Sequence, residues 1–152
     1  MHVDISIAGQ TLKVMDENIT RFSTPCSTSR FGLGTMEGSY QTPTGDFHIA
    51  EKIGVGAELG SQFKSRIFTG EVWNPEIITD EDLILTRILW LAGDEPHNAN
   101  TQSRYLYIHG TNQEELLGSA ASHGCIRLGN HAMIKLFDLV ELFTKVVIRE
   151  GI

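Results

Sequence analysis

Cysteine is scarce in this chain, with only Cys26 and Cys125 among 152 residues. A disulfide framework in a small exported domain draws on more than one pair, so both are expected as reduced thiols. Long apolar runs are also missing. None approaches the ~18 residues of a membrane-spanning helix, and no membrane span or membrane partner is expected. The start, Met1 to Ala8, has no basic stretch and no apolar core. No export signal is read there and a cytoplasmic protein is expected; a truncated N-terminus would instead hide a leader and make the protein periplasmic. Lys and Arg are outnumbered 12 to 19 by Asp and Glu, for a net charge of −7, which argues against nucleic acid and anionic membranes as partners. CxxC and HExxH pairs, calcium-loop spacing, internal repeats and low-complexity tracts are all lacking, so no metal and no cofactor is expected.

The length suits one domain over 1–152, large enough to bury a substantial core. Val3, Ile5 and Ile7 alternate with polar neighbours. After a turn at Ala8-Gly9-Gln10 the alternation resumes at Leu12 and Val14, which predicts a hairpin. A third strand is read from Ile19 to about Pro25, then loop through Tyr40. Thr42-Pro43-Thr44-Gly45 is a turn leading into a strand at Phe47 and Ile49. Gly54, Gly56 and Gly60 punctuate a connection, and Asp80-Glu81-Asp82 reads as a solvated turn. The run Leu83 to Leu91, interrupted at Thr86 and Arg87, reads as a central strand. A short helix is placed at Gln113 to Leu117. Met133, Leu136, Phe137, Val140 and Phe143 fall at helical spacing behind Asn130 as N-cap, and Val146 to Ile148 form a last strand. The expected fold is mainly β with one substantial helix.

The chemistry concentrates in Ser122-His123-Gly124-Cys125-Ile126-Arg127-Leu128, where a thiol stands beside an imidazole and a glycine. A thiol attacks carbonyls as thiolate, and a neighbouring base, backbone N–H groups or an arginine supply the activation. Upstream, Tyr105, Tyr107 and His109 share one face of a strand by period two, with Leu106 and Ile108 on the other. His109 alone would be an ordinary strand-end histidine; with the cysteine loop and Gly110 after it, it is a candidate base. His109, His123 and Cys125 also suit zinc by residue type, but a fourth ligand is missing from the pattern. Tyr40, Trp73, Trp90, His97 and Tyr107 are candidate groove residues, each weighed against a place in the core. Cys26, in an apolar strand-like context, is expected to be a small buried hydrophobe.

The pattern IHGT, Gly118 and SHGCIRL, preceded by TPTGDF at 42–47, resembles the L,D-transpeptidase (YkuD-like) catalytic domain, whose members act on bacterial peptidoglycan. The resemblance runs from the N-terminal strands to Ile148 and is weakest between about Gly56 and Asn100. It implies a β-sandwich of mixed sheets. It also implies Cys125 as nucleophile, His109 as base, the Gly110 carbonyl as the group orienting the imidazole, and backbone N–H groups of Gly124 and Cys125 as oxyanion donors. Some relatives carry serine in place of Gly110. His123 is assigned either to tuning the thiolate and lining the substrate pocket or to holding the loop. Arg127 either binds a substrate carboxylate or fixes the loop, with the second preferred. Tyr107 and Ser122 complete the candidate substrate-binding set, Ser122 mainly as a loop hydrogen-bonder. The implied partners are peptidoglycan-derived peptides or muropeptides, and the implied reaction is acyl transfer from a stem tetrapeptide through a thioester. Water as acceptor makes an L,D-carboxypeptidase, an amine makes an L,D-transpeptidase, and a non-catalytic peptidoglycan-binding module is the remote alternative, disfavoured by the intact Cys-His-Gly set.

Overall fold

The computed structural model describes residues 1–151. Alternation of apolar and polar residues builds the first three strands, β1 (His2–Ser6), β2 (Thr11–Asp16) and β3 (Ile19–Pro25), as an antiparallel meander. Val3, Ile5, Leu12 and Val14 point inward and are fully buried. The TPTG turn leads into β4 (Gly45–Ile53), and the central strand is β7 (Ile84–Gly93). The chain then runs through β8 (Tyr107–Gly110), β9 (Ile126–Leu128), α1 (Asn130–Leu139) and β10 (Lys145–Arg149).

The strands hydrogen-bond into one mixed sheet. β10 lies between β1, to which it is parallel, and β4, to which it is antiparallel. β7 is the branch point, pairing with β4 and β8, and β8 pairs in parallel with β9. Thr86 and Arg87, which interrupt the apolar run in sequence, fall where the β7–β8 register shifts between Leu85 and Ile88. They form a bulge, and Thr86 takes a positive φ of 77° there.

Two hydrophobic clusters occupy the two sides of β8. The main core joins the inner residues of β1, β2, β4, β7 and β10 to Ile108, Ile126 and Leu128, and to Met133, Leu136 and Phe137 of α1. The smaller cluster contains Phe63, Ile88 and Tyr107, with Cys125 packed against it. Period two thus sends Ile108 into the main core and Tyr107 to the side of the thiol.

Three local expectations need correction. The glycine-punctuated connection is followed by a hairpin, β5 (Ser61–Lys64) and β6 (Ile67–Val72), docked on β7. Every residue of β6 is exposed, so it carries no burial period to read. Helix α1 begins at Asn130 with Gly129 as its N-cap and ends at Leu139. Asn130 does not cap, because its side chain is drawn inward to Thr86, Thr111 and Glu114; Phe143 lies beyond the helix, exposed, with a φ of 68°. Tyr105 is outside β8, in a left-handed conformation at the end of a short 3₁₀ turn, Gln102–Arg104. The 3₁₀ turn at Glu114–Leu116 does fall where a short helix is expected.

Candidate active site

The parallel register pairs Ile108 with Ile126 and His109 with Arg127. Cys125, one residue before β9, therefore stands opposite Tyr107, and period two puts Cys125, Arg127, Tyr107 and His109 on one face. The thiol and the imidazole are one strand apart and two residues along on a shared surface. This proximity comes from the pairing of two short strands that are distant in sequence.

The loop before Cys125 is held from three sides. The Ser122 N–H donates to the Thr28 carbonyl (2.9 Å), and the Ser122 hydroxyl donates to the Cys125 carbonyl (2.6 Å). Thr42 of the TPTG turn, fully buried, donates its hydroxyl to the Gly124 carbonyl (2.9 Å). Gly124 has a φ of 121°, a region closed to most side chains, which accounts for glycine next to the nucleophile.

The Cys125 sulfur accepts the Tyr107 N–H at 3.4 Å and lies 3.5 Å from the Tyr105 carbonyl, to which the thiol donates. Burial pushes this thiol up to about 11, against the lowering effects of the Tyr107 N–H, Arg127 and Arg104. His109, almost fully buried, directs Nδ1 at the Gly110 carbonyl (2.6 Å). A carbonyl only accepts, so Nδ1 carries the proton and the neutral ring keeps its Nε2 lone pair. Burial also lowers the His109 pKa, against the raising effects of the Gly110 carbonyl and Asp82. The resting pair is thus a neutral thiol and a neutral imidazole.

A pH profile follows from this resting state. The rate of Cys125 alkylation by iodoacetamide, followed by peptide mass mapping, is expected to climb from pH 7 through pH 10 without a plateau, because the thiolate fraction keeps growing up to a pKa of about 11. Cys26, raised to about 12 by burial, should react more slowly still. A plateau reached near pH 7 would mean a preformed thiolate–imidazolium pair and would overturn the neutral resting state.

Gly110 shows why serine does not stand here. A side chain at this position would meet Asn130 Oδ1 and the Leu85 carbonyl. Asn130 fills the space instead, accepting from the Thr86 hydroxyl (2.6 Å) and donating to the Thr111 carbonyl (2.8 Å).

The structure places each of the other candidates. Arg127 is 1% exposed, paired to Asp82 at 2.8 Å and donating to Gln113 at 2.9 Å, so it fixes the loop and presents nothing to a ligand. Ser122 is equally buried and is a loop brace. Tyr107 contributes its backbone N–H, while its ring is buried against Trp90 and its hydroxyl accepts from Arg66. The Gly124 N–H donates to Ser122 Oγ (3.2 Å), so it is turned away from the oxyanion role and leaves Cys125 as the backbone donor of that pair. His123 does line the cavity. His97 binds the Thr44 carbonyl and Trp73 the Ile77 carbonyl, away from the thiol. Among the described residues, no three His, Cys, Asp or Glu side chains converge as a metal site.

Asp82 is the residue that the reading of a solvated turn misses. It receives Arg127 and the Nδ1 of His123 (3.2 Å) on one oxygen. Burial pushes its carboxyl up, but Arg127, with His109 and His123, outweighs this and holds it below the usual range. His123 in turn accepts from Arg30 through Nε2 (2.6 Å), since guanidinium only donates. A chain from Arg30 through His123 and Asp82 to Arg127 therefore braces the nucleophile loop. In sequence it is marked only as the last residue of the acidic triplet Asp80-Glu81-Asp82, ahead of an apolar strand.

An open cavity of about 270 Å³ ends on Cys125, lined by Glu37, Tyr40, Arg104, Tyr105 and His123. It offers an access path to the sulfur and a wall of mixed polarity.

Comparison with known proteins agrees with this geometry. Residues 1–148 match the YkuD family, the L,D-transpeptidase catalytic domain. Two similar proteins of Bacillus subtilis (strain 168) carry the names "Putative L,D-transpeptidase YqjB", 32% identical over 79% of this chain and 58% of that protein, and "Putative L,D-transpeptidase YkuD", 26% identical over 97% and 65%. The chain thus spans less than two thirds of the length of either. Among solved structures, an L,D-transpeptidase from Xylanimonas cellulosilytica (20% identity, 97% of this chain, 59% of that one) and L,D-transpeptidase 3 from Mycobacterium tuberculosis with a faropenem-derived adduct (19%, 97%, 59%) each superpose with a TM-score of 0.62, which establishes the shared fold. With the match extending from the first strand to the last, the chain belongs to the L,D-transpeptidase catalytic domain family.

Proposed function

We propose that this chain is a cysteine acyl-transfer enzyme acting on peptidoglycan stem tetrapeptides, cleaving the bond between the L-centre of the diamino acid at position three and the terminal D-alanine, with water as the final acceptor. The observation that carries the reading is the Cys125 sulfur at the end of a cavity, on the same sheet face as a buried neutral imidazole with Nε2 unprotonated. As Sγ bonds to the carbonyl carbon, its proton passes to His109 Nε2, and the oxyanion takes the Cys125 N–H as donor. Collapse breaks the C–N bond, and Nε2 returns the proton to the departing amine of D-alanine. A water molecule then gives a proton to Nε2 and attacks the thioester, which releases the tripeptide acid and restores the thiol.

Water is favoured by size. Sites for drug-sized ligands occupy roughly 300–1,000 Å³, so an open cavity of about 270 Å³ suits the end of one peptide, and water needs no further space. A different observation favours the amine-acceptor reading. A second, shallow depression of about 520 Å³ adjoins the site through Asp82 and is lined by Gln62, Phe63 and Ile84. Soluble muropeptides in the cytoplasm are the proposed substrates.

The test is to incubate the protein with disaccharide-tetrapeptide, with and without a free D-amino acid, and in parallel with intact sacculi, and to weigh the products. Tripeptide is expected as the main product without added amine. Dimers or exchanged tetrapeptides with negligible tripeptide would sink the carboxypeptidase in favour of the transpeptidase, and turnover confined to sacculi would remove the cytoplasmic assignment.

A further inference from the structure

Arg104 is a cation on the cavity wall that neither the loop brace nor the proton transfers use. Its guanidinium is tethered by hydrogen bonds to the carbonyls of Gly34 (3.2 Å) and Gln41 (2.8 Å) and to the Ser39 hydroxyl (3.5 Å). Those three contacts leave part of its five-donor fork for a ligand. The tethers also fix the side chain, so less rotamer freedom is lost on binding than with a free surface arginine. The next residue, Tyr105, is left-handed and turns its carbonyl to the Cys125 thiol at 3.5 Å. The cation is therefore one residue from the sulfur's own contact, and both line the same cavity.

We propose that Arg104 reads the free carboxylate of the leaving residue, making it the specificity-determining group that restricts cleavage to the C-terminal bond of an unblocked stem. The inference rests on the acyl-transfer reading above. In the attacked peptide that carboxylate lies only a few bonds beyond the reacting carbon, on the leaving-group side. A planar guanidinium suits it, and a hydrogen bond to a charged partner is among the stronger ones available. Glu37 lies on the same wall, near enough to act on Arg104, so an incoming carboxylate competes with it for the guanidinium. Burial lowers the Arg104 pKa, against the raising effects of Cys125 and Glu37, and an incoming carboxylate offsets that burial.

The experiment compares kcat/KM for a free-acid tetrapeptide and its C-terminal amide, in the wild type and in Arg104→Gln and Arg104→Lys. Both substrates carry lysine at position three, so the leaving residue holds the sole carboxylate at that end. A second pair carries diaminopimelate at position three and adds a side-chain carboxylate. The wild type is expected to prefer acid over amide by about ten- to hundred-fold, in both pairs. Arg104→Gln should bring that ratio close to one by losing rate on the acid alone, with Arg104→Lys in between. A loss of loop support or of thiol activation lowers acid and amide together and leaves the ratio unchanged, which would overturn the proposal. So would a wild type that cleaves acid and amide equally, or an Arg104→Gln effect seen only in the diaminopimelate pair, which would assign Arg104 to the side-chain carboxylate. A wild type that cleaves none of the four would instead sink the acyl-transfer reading on which the inference stands.

Discussion

Cys125→Ala is expected to lose at least about 10⁴-fold in D-alanine release, since removal of a nucleophile leaves only binding and polar stabilisation. The fold should survive. Cys125 sits on the edge of the smaller cluster, and trimming one sulfur there costs on the order of 1 kcal/mol. Cys26→Ser is the matched control with the opposite pattern. Cys26 is fully buried in the main core, where a hydroxyl costs about 1–3 kcal/mol, yet turnover should persist. Thermal melts beside mass-spectrometric product assays separate the two. Wild-type release by Cys125→Ala would remove the nucleophile from this position.

The second large effect is at His109. Loss of the base is expected to slow acylation by ~10²–10⁴-fold. Alanine also opens a void at a 2% exposed position and strips the Gly110 carbonyl of its donor, at about 2–4 kcal/mol of stability. His109→Gln separates these effects, because its amide donates to the carbonyl and fills space but takes no proton. It should be nearly as inactive as alanine and markedly more stable in a thermal melt. His123→Ala, on the exposed side of the Asp82 chain, should lose less activity than either. Single-turnover acylation rates give the ranking, and an inactive His123→Ala beside an active His109→Gln would exchange the two roles.

The parts of the molecule that were legible in sequence are those where one side chain answers to one surface. Val3, Ile5, Leu12 and Val14 alternate because a single face is buried, and Met133, Leu136 and Phe137 repeat at helical spacing because one stripe meets the sheet. The thiol loop was legible because the chemistry demands a particular residue set in a short span. Residues whose role is set by partners far along the chain were not. Asp82 looks like a solvated acid until β9 and the loop before it bring Arg127 and His123 to it. Asn130 stands where a cap is expected, but Thr86 and Thr111 claim its amide, and that, with the Leu85 carbonyl, explains glycine at position 110. The β5–β6 hairpin escaped notice because an exposed outer strand has no inside to pattern against.

The insertion of β10 between β1 and β4 also governs the order in which the protein can be made. His2 pairs with Lys145 and Ile5 with Ile148, so on a ribosome the first hairpin waits until residues 145–148 are made before its inner edge finds a neighbour. Until then it lacks a strand neighbour on that edge, and it reaches the half of the sheet that bears the thiol through the segment 26–29, where Ser27 pairs with Arg127 and the Thr28 carbonyl takes the Ser122 N–H. Pairings of such long sequence separation are slow to form, and the unpaired edge is open to other chains in the interval. The nucleophile is thus synthesised before the scaffold around it closes, and assembly of this domain ends with its first and last strands side by side.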